Sequence, residues 1–171
     1  FSQHGSTSEN NREFGIGPNG TPVLLWKASP DSSNNGIDGG WYTSSYNIDH
    51  TKTYRFVIWL KKTNSNDGSS FFGFSSYNNG LDLYGTLNNN PYFWSGDLPQ
   101  LNKWYMLVGY VHGSLYNSTI SYGGIYDGIT GEKVVNNIDY KFKNTASELN
   151  HITYLYDNSN TLDRQYFYAP R

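Results

Sequence analysis

Apolar side chains in this chain recur at every second position, and no stretch holds them at helical spacing for three turns. The stretch YRFVIWLKK, residues 54–62, shows this alternation most clearly. Successive side chains of an extended strand point to opposite faces, so Phe56, Ile58 and Leu60 share one apolar face. The alternation predicts a strand with one face in a hydrophobic core, and it limits the chain to a fold built from strands.

Similar short runs recur along the sequence and are separated by turn residues. WYMLVGYVHG, SSFFGFSS, HITYLYD and RQYFYAP all have the composition of strands. Asn79-Gly80 and Asp127-Gly128 are residue pairs typical of tight hairpin turns, because they tolerate a positive φ. About ten strands at this spacing favour an all-β fold, either a sandwich or a barrel. No linker or repeat divides the chain, so we expect one domain over residues 1–171, with residues 1–20 loosely ordered.

The composition excludes several classes of partner. With 12 basic and 14 acidic residues the formal net charge is −2, which gives no attraction to nucleic acid or to an anionic membrane. The longest apolar runs, such as FVIWL, are too short to span a bilayer, so we expect no membrane insertion. The chain has no cysteine and therefore no thiolate metal site. It begins without methionine, and we expect a mature product or a piece of a larger chain.

One loop has the composition of a calcium site. DSSNNG places the side-chain oxygens of Asp31, Ser33 and Asn35 at alternate positions before a glycine, and Asp38 follows closely. Calcium takes six to eight oxygen ligands, which this order of residues can supply. Tyr42 stands where an EF-hand carries its bidentate glutamate, so the loop is not an EF-hand. These four residues are the predicted ligands of a structural calcium ion, although ordinary turns have the same composition. Carboxylates elsewhere that could hold calcium instead are Glu13, Asp49, Asp127 and Asp163.

Motifs of hydrolytic enzymes are missing from the sequence. It contains no G-x-S-x-G and no H-E-x-x-H, and no predicted strand carries two acids at the spacing of a retaining glycosidase. His112, with Tyr110 on the same strand face, could form the acid–base pair of a polysaccharide lyase. A histidine at the end of a strand is more commonly a surface or structural residue. Lyase or hydrolase activity is therefore an alternative and not the leading interpretation.

The stretch NPYFWSGDLP puts three aromatic rings in a row between two prolines. Proline lacks an amide donor, so this segment is predicted to be an edge strand or a loop. Alternation would send Phe93 to one side and Tyr92 with Trp94 to the other. We expect Phe93 and Leu98 in the core, and Trp94 partly exposed beside Asp97, where both could contact a ligand.

The second face of the YRFVIWLKK strand is chemically different from the apolar one. It carries Arg55, Trp59 and Lys61, and a core does not explain a tryptophan flanked by two cations. Tyr110 and His112 would join them if their strand lies alongside. A flat ring packs on the C–H face of a pyranose, and an arginine fork holds hydroxyl pairs or a uronate carboxylate. We predict that these five residues bind a ligand, unless a loop or the amino-terminal segment covers Trp59.

Residues 38–62, DGGWYTSSYNIDHTKTYRFVIWLKK, resemble the opening of jelly-roll carbohydrate-binding modules. In those families a GGW turn, a short exposed strand, an acid at the turn and a Y-x-F-x-x-W strand recur in this order. The resemblance implies an antiparallel β-sandwich of jelly-roll type whose partner is a polysaccharide or a cell-surface glycan. Such modules occur in polysaccharide-degrading enzymes, phage tail fibres and adhesins, which implies an extracellular, cell-surface or virion-surface location.

The sequence also departs from the related patterns in two ways. Many of these modules hold calcium with an aspartate near the carboxyl end, and this chain has Arg171 as its last residue. Alginate-lyase-like sandwiches are also jelly rolls, but their R-x-E-L-R and Q-x-H strands have no match here. The leading hypothesis is a non-catalytic glycan-binding domain. The alternatives are a structural or assembly domain that forms homo-oligomers through exposed aromatics, and a polysaccharide lyase or hydrolase.

Overall fold

The computed structural model describes residues 1–32 and 36–171, and all regular structure within these ranges is β-strand. The strands are β1 (Ser2–His4), β2 (Asn10–Ile16), β3 (Pro22–Ala28), β4 (Ile37–Tyr42), β5 (Tyr46–Asn47), β6 (Tyr54–Thr63), β7 (Ser69–Ser75), β8 (Gly80–Leu81), β9 (Tyr92–Gly96), β10 (Tyr105–His112), β11 (Gly124–Asp127), β12 (Lys133–Asn136), β13 (Tyr140–Phe142), β14 (Glu148–Tyr156) and β15 (Arg164–Tyr168). In this part of the chain no helix is long and apolar enough to cross a membrane. Residues 1–20, expected to be loosely ordered, contribute β1 and β2.

The strands form two sheets that pack face to face. The six-stranded sheet has the order β1-β4-β14-β7-β9, with β5 also paired to β14. The nine-stranded sheet has the order β12-β11-β10-β6-β15-β3-β2, and β13 joins it beside β10 and carries β8. Neighbouring strands are antiparallel apart from the β10–β13 pair. The expected all-β antiparallel sandwich is confirmed, and the finer jelly-roll type remains a prediction.

The core lies between the two sheets and is mainly aromatic. Phe56, Ile58 and Leu60 of β6 are at most 2% exposed, so the predicted apolar face of this strand is confirmed. Phe56 stacks on Phe74 at 6.2 Å and on Phe93 at 5.6 Å between ring centroids. Contacts of this kind add to the stabilisation that apolar burial provides.

A β-bulge changes the orientation expected for Trp94. Phe72 is paired with Trp94 and Gly73 with Tyr92, so the register shifts and Phe93 is the extra residue. Trp94 therefore packs against the core beside Phe93 instead of following Tyr92 to the opposite face. The predicted burial of Phe93 and Leu98 and the partial exposure of Trp94 are confirmed, as is the edge position of β9. The expected alternation across this segment was wrong, because sequence periodicity does not show a bulge.

Candidate functional site

A row of four large side chains crosses the outer face of the nine-stranded sheet, the face turned away from the core. Trp59 of β6 is paired with Met106 of β10 on one side and with Tyr168 of β15 on the other. Met106 is in turn paired with Tyr126 of β11. All four side chains are partly exposed. Residues paired across antiparallel strands share a face, so the sheet presents a nearly continuous apolar surface to solvent.

Trp59 differs from the other four tryptophans in its contacts. Trp41 is buried in the core. Trp26, Trp94 and Trp104 donate their indole Nε1–H to oxygens of the domain at 2.9, 3.2 and 3.0 Å. Among the described residues, Trp59 makes no ring–ring contact, and its Nε1 has no hydrogen-bond partner. A partly exposed ring with an unused donor is suited to contact with a ligand.

A groove of about 290 Å³ lies beside Trp59 on the same face. Its walls include Arg55 and Val57 of β6, Met106 of β10, and Arg171. Two backbone hydrogen bonds, of 2.8 and 3.0 Å, join Arg171 to Val57 and fix the carboxyl-terminal residue against the sheet. The groove, defined by Arg55, Val57, Trp59, Met106, Val108 and Arg171, is called the outer groove below.

Lys61 lies on the predicted face and is partly buried. Its Nζ is 5.0 Å from the Trp104 ring centroid and 4.9 Å from the Tyr166 ring centroid, so it forms two cation–π contacts. Burial lowers the pKa of Lys61. Trp104 is anchored by its bond to the Ile16 carbonyl, at 3.0 Å. Lys61 is therefore engaged by two rings of the domain, whereas Trp59 has no ring partner among the described residues.

Tyr110 and His112 lie on the strand next to Arg55, as expected, but their surroundings differ. Tyr110 is paired with Arg55 in the register of β10 and β6 and is partly exposed. The His112 side chain is only 6% exposed, and its Nε2 lies 3.2 Å from Oδ2 of the buried Asp139. Tyr116 stacks on the His112 ring at 3.9 Å. His112 therefore supports the surface around Tyr110 and offers little area for direct ligand contact.

Trp94 and Asp97 lie in the opposite layer of the sandwich. Trp94 belongs to β9 of the six-stranded sheet, and Asp97 follows that strand as an exposed residue. The structure thus brings Arg55, Trp59 and Tyr110 together on the nine-stranded sheet. Trp94 and Asp97 lie apart from them, on and after the edge strand of the six-stranded sheet. Sequence reasoning missed Met106, Tyr126, Tyr168 and Arg171. Alternation along RQYFY would have placed Tyr168 opposite the buried Phe167, but it could not have placed it next to Trp59.

Two of the four predicted calcium ligands, Ser33 and Asn35, lie outside the described residues. Asp38 is 1% exposed and accepts a hydrogen bond of 2.6 Å from the backbone N–H of Asn158. Burial, with smaller effects of Glu9, Asp31 and other nearby carboxylates, raises the pKa of Asp38 to about 7. Within residues 1–32 and 36–171, no three histidine, cysteine, aspartate or glutamate side chains form a group that could hold a metal ion.

The alternative calcium candidates are engaged in other interactions. Glu13 forms an ion pair with Lys27 at 2.5 Å, and Asp127 forms one with Lys103 at 2.5 Å. The buried Asp163 accepts hydrogen bonds from amide and hydroxyl groups of neighbouring loops. Asp49 accepts two hydrogen bonds from Thr51, of 2.9 and 2.7 Å. In the described part of the chain, none of these carboxylates belongs to a group of three or more side chains that could hold a metal ion.

The fold and the outer groove define an all-β sandwich domain with an open aromatic surface on one sheet. Comparison with known proteins adds no family: no family model matches the chain, and neither the curated proteins nor the solved structures give a significant match.

Proposed function

We propose that this is a non-catalytic glycan-binding domain of an extracellular or virion-surface protein, and that the glycan binds across the outer groove. The observation that supports the proposal is Trp59, which is partly exposed and has neither a ring partner nor an Nε1 acceptor among the described residues. The sequence resemblance to carbohydrate-binding modules points to the same class of ligand.

The chemistry of the outer groove is suited to a sugar chain. The apolar row formed by Trp59, Met106, Tyr126 and Tyr168 can pack against the C–H face of pyranose rings. Arg55 and Tyr110, which lie beside the row four residues away along β6 and β10, supply hydrogen-bond groups for hydroxyls at the ring edge. The row of paired side chains crosses four strands, a span that can accommodate more than one sugar residue of a chain.

The test is binding to a panel of plant and algal polysaccharides, first by affinity electrophoresis and then by calorimetry. Trp59→Ala should weaken binding by about 2 kcal/mol, the usual scale for losing a central aromatic anchor. Trp94→Ala is the matched control, since it removes the tryptophan of the opposite layer. Binding to no polysaccharide would overturn the proposal. Loss of binding in Trp94→Ala alone would move the site to the six-stranded sheet.

A structural calcium ion near Asp31 and Asp38 is part of the same proposal. The neighbouring carboxylates of Glu9 and Asp31 help to raise the pKa of Asp38, and a bound cation would offset their mutual repulsion. We expect calcium to raise the thermal midpoint of the domain and Asp38→Asn to remove that increase. An identical midpoint in calcium and in chelator would exclude a structural calcium ion.

Subunit assembly is a second candidate function, supported by a different surface. Phe14, Ile16 and Leu24 on the adjacent strands β2 and β3 are 79%, 55% and 50% exposed, and β2 is an edge strand. An edge strand beside exposed apolar residues can pair with a second copy of the chain. Light scattering should then show a concentration-dependent dimer that Phe14→Ser abolishes. A monomer at all concentrations would exclude assembly through this edge.

No contact in the outer groove specifically favours the lyase or hydrolase alternative. Its candidate base, His112, is bound to Asp139 and covered by Tyr116. The polysaccharides that bind should be incubated with the protein and assayed for unsaturated or reducing ends over time. Release of such ends, lost in His112→Gln, would establish catalysis and replace the binding-only interpretation.

A further inference from the structure

The outer groove contains two arginines that have no ion-pair partner among the described residues. Arg55 and Arg171 both line the groove, and Trp59 lies between the same walls. The salt bridges in the described part of the chain join Lys27 with Glu13 and Lys103 with Asp127, and His112 Nε2 contacts Asp139. Two guanidinium groups without a carboxylate partner beside an exposed indole form a cationic aromatic surface.

The carboxylates at this end of the sandwich are bound by other donors. Asp139 is fully buried and accepts N–H groups from the backbone of Tyr110, Tyr122 and Gly123, in addition to its contact with His112. Asp49 is held by Thr51 through its amide and hydroxyl. The Asp139 carboxylate is therefore satisfied within the domain, and Oδ1 of Asp49 is held by Thr51; neither carboxylate forms an ion pair with Arg55 or Arg171.

Many of the remaining carboxylates cluster at the opposite end of β6. Four carboxylates have charges that act on the buried Lys62: Asp97, Asp163, Asp67 and Asp38. Lys62 Nζ donates to the carbonyl groups of Asp67, at 2.5 Å, and Gly68, at 2.7 Å. Seven residues of extended strand separate Lys62 from Arg55, roughly 20 Å, which exceeds the Debye length of about 8 Å at physiological salt. The groove end is thus locally positive, although the whole chain has a net charge of −2.

We infer that the ligand of the outer groove is an anionic polysaccharide, carrying carboxylate or sulfate groups along the chain. This inference rests on the proposed glycan-binding function and specifies its substrate class. Trp59 contacts the face of a sugar ring while Arg55 and Arg171 bind anionic groups on the same or the next residue. The planar guanidinium fork matches the paired oxygens of both carboxylate and sulfate.

The test compares three families of polysaccharide on the unmodified protein: neutral, uronate-containing and sulfated. Affinity should be highest for one or both anionic families and should fall as sodium chloride rises, because salt screens exposed charges. Arg55→Gln and Arg171→Gln should each weaken anionic binding about tenfold, as expected for losing a charged hydrogen bond. Arg55→Lys should recover only part of the loss, since an ammonium group lacks the fork. The family that binds best identifies the anionic group.

Controls separate this inference from the proposed function. Lys143→Gln removes an exposed cation elsewhere on the surface and should leave affinity unchanged. Thermal midpoints of the arginine variants show whether they are folded. A different result is that neutral and anionic polysaccharides bind with equal affinity, with no effect of salt or of Arg55→Gln. That result would overturn the inference of an anionic ligand, while the proposed glycan-binding function would stand. If linear polyphosphate binds as tightly and Trp59→Ala changes nothing, the groove is a general cationic surface and both proposals fail.

Discussion

The two faces of the nine-stranded sheet use aromatic side chains in opposite ways. On the inner face, Phe56 is 2% exposed and lies within 6.2 Å of the rings of Phe74, Phe93 and His151. On the outer face of the same strand, Trp59 has no ring partner among the described residues and is partly exposed. Only two residues lie between Phe56 and Trp59. The inner rings pack on one another and stabilise the fold, while the outer ring remains partly exposed.

This difference separates stability from recognition on one strand. Inner-face substitutions should change the free energy of unfolding and leave the affinity of each folded molecule unchanged. Outer-face substitutions should lower the affinity for glycan and leave the free energy of unfolding nearly unchanged. The three predictions below examine that separation, beginning with the largest effect on stability.

Phe56→Ala should lower the free energy of unfolding by about 4 kcal/mol, because it leaves a cavity among the core rings. Chemical denaturation followed by far-ultraviolet circular dichroism measures the change. The folded fraction of the variant should still bind glycan with the affinity of the unmodified protein. A loss below about 1 kcal/mol would mean that the ring is not part of a tightly packed core.

Acidification should destabilise the domain through His151, which is buried between the sheets. Burial lowers the pKa of His151 to about 3 in the folded state, while the unfolded chain titrates near 6.5. Between these values only the unfolded chain takes up the proton, so stability falls as the pH drops below about 6.5. The contribution of His151 to the free energy of unfolding should be about 2 kcal/mol lower near pH 5 than near pH 7.5. Asp38, whose pKa burial raises to about 7, acts in the opposite direction over this range, so the comparison with a His151 variant is what isolates the histidine.

The control for this pH dependence is His151→Phe, which keeps a ring among Trp41, Phe56 and Phe72 but cannot titrate. It should lack the loss of stability on acidification that His151 contributes. His4, whose pKa burial also lowers, is present in both proteins, so its contribution cancels. Equal pH slopes in the two proteins would show that His151 is not the group responsible.

Trp59→Ala should have the smallest effect on stability, about 1 kcal/mol or less, because the ring is partly exposed and contacts no other ring. The thermal midpoint and the denaturation curve measure it directly. A loss as large as that of Phe56→Ala would place Trp59 in the structural core and end the distinction between the two faces.

The β6 strand shows how much of the candidate site could be predicted. Its alternation correctly separated Phe56, Ile58 and Leu60 from Arg55 and Trp59, because the side-chain period of a strand is local geometry. The arrangement of Tyr110 beside Arg55 also followed once the two strands were assumed to be neighbours. Trp94 was placed on the wrong side because a bulge in β9 depends on pairing with β7.

The sequence did not show which of the predicted site residues are covered by other side chains. Lys61 is enclosed by Trp104 and Tyr166, and His112 lies beneath Tyr116. Trp104 and Tyr166 come from segments distant from Lys61 along the chain, and Tyr116 comes from a loop. Periodicity reports the direction of a side chain relative to its own strand, but it does not report which other residue lies above it.

The sequence by itself determined the all-β class and the direction of the side chains on β6, since these depend on local periodicity and composition. The tertiary structure decided the strand neighbours that align Tyr126, Met106, Trp59 and Tyr168. It also decided the position of Arg171 beside Val57. The physical reason is that sheet hydrogen bonds join residues far apart in the chain, and only those bonds assemble separate side chains into one surface.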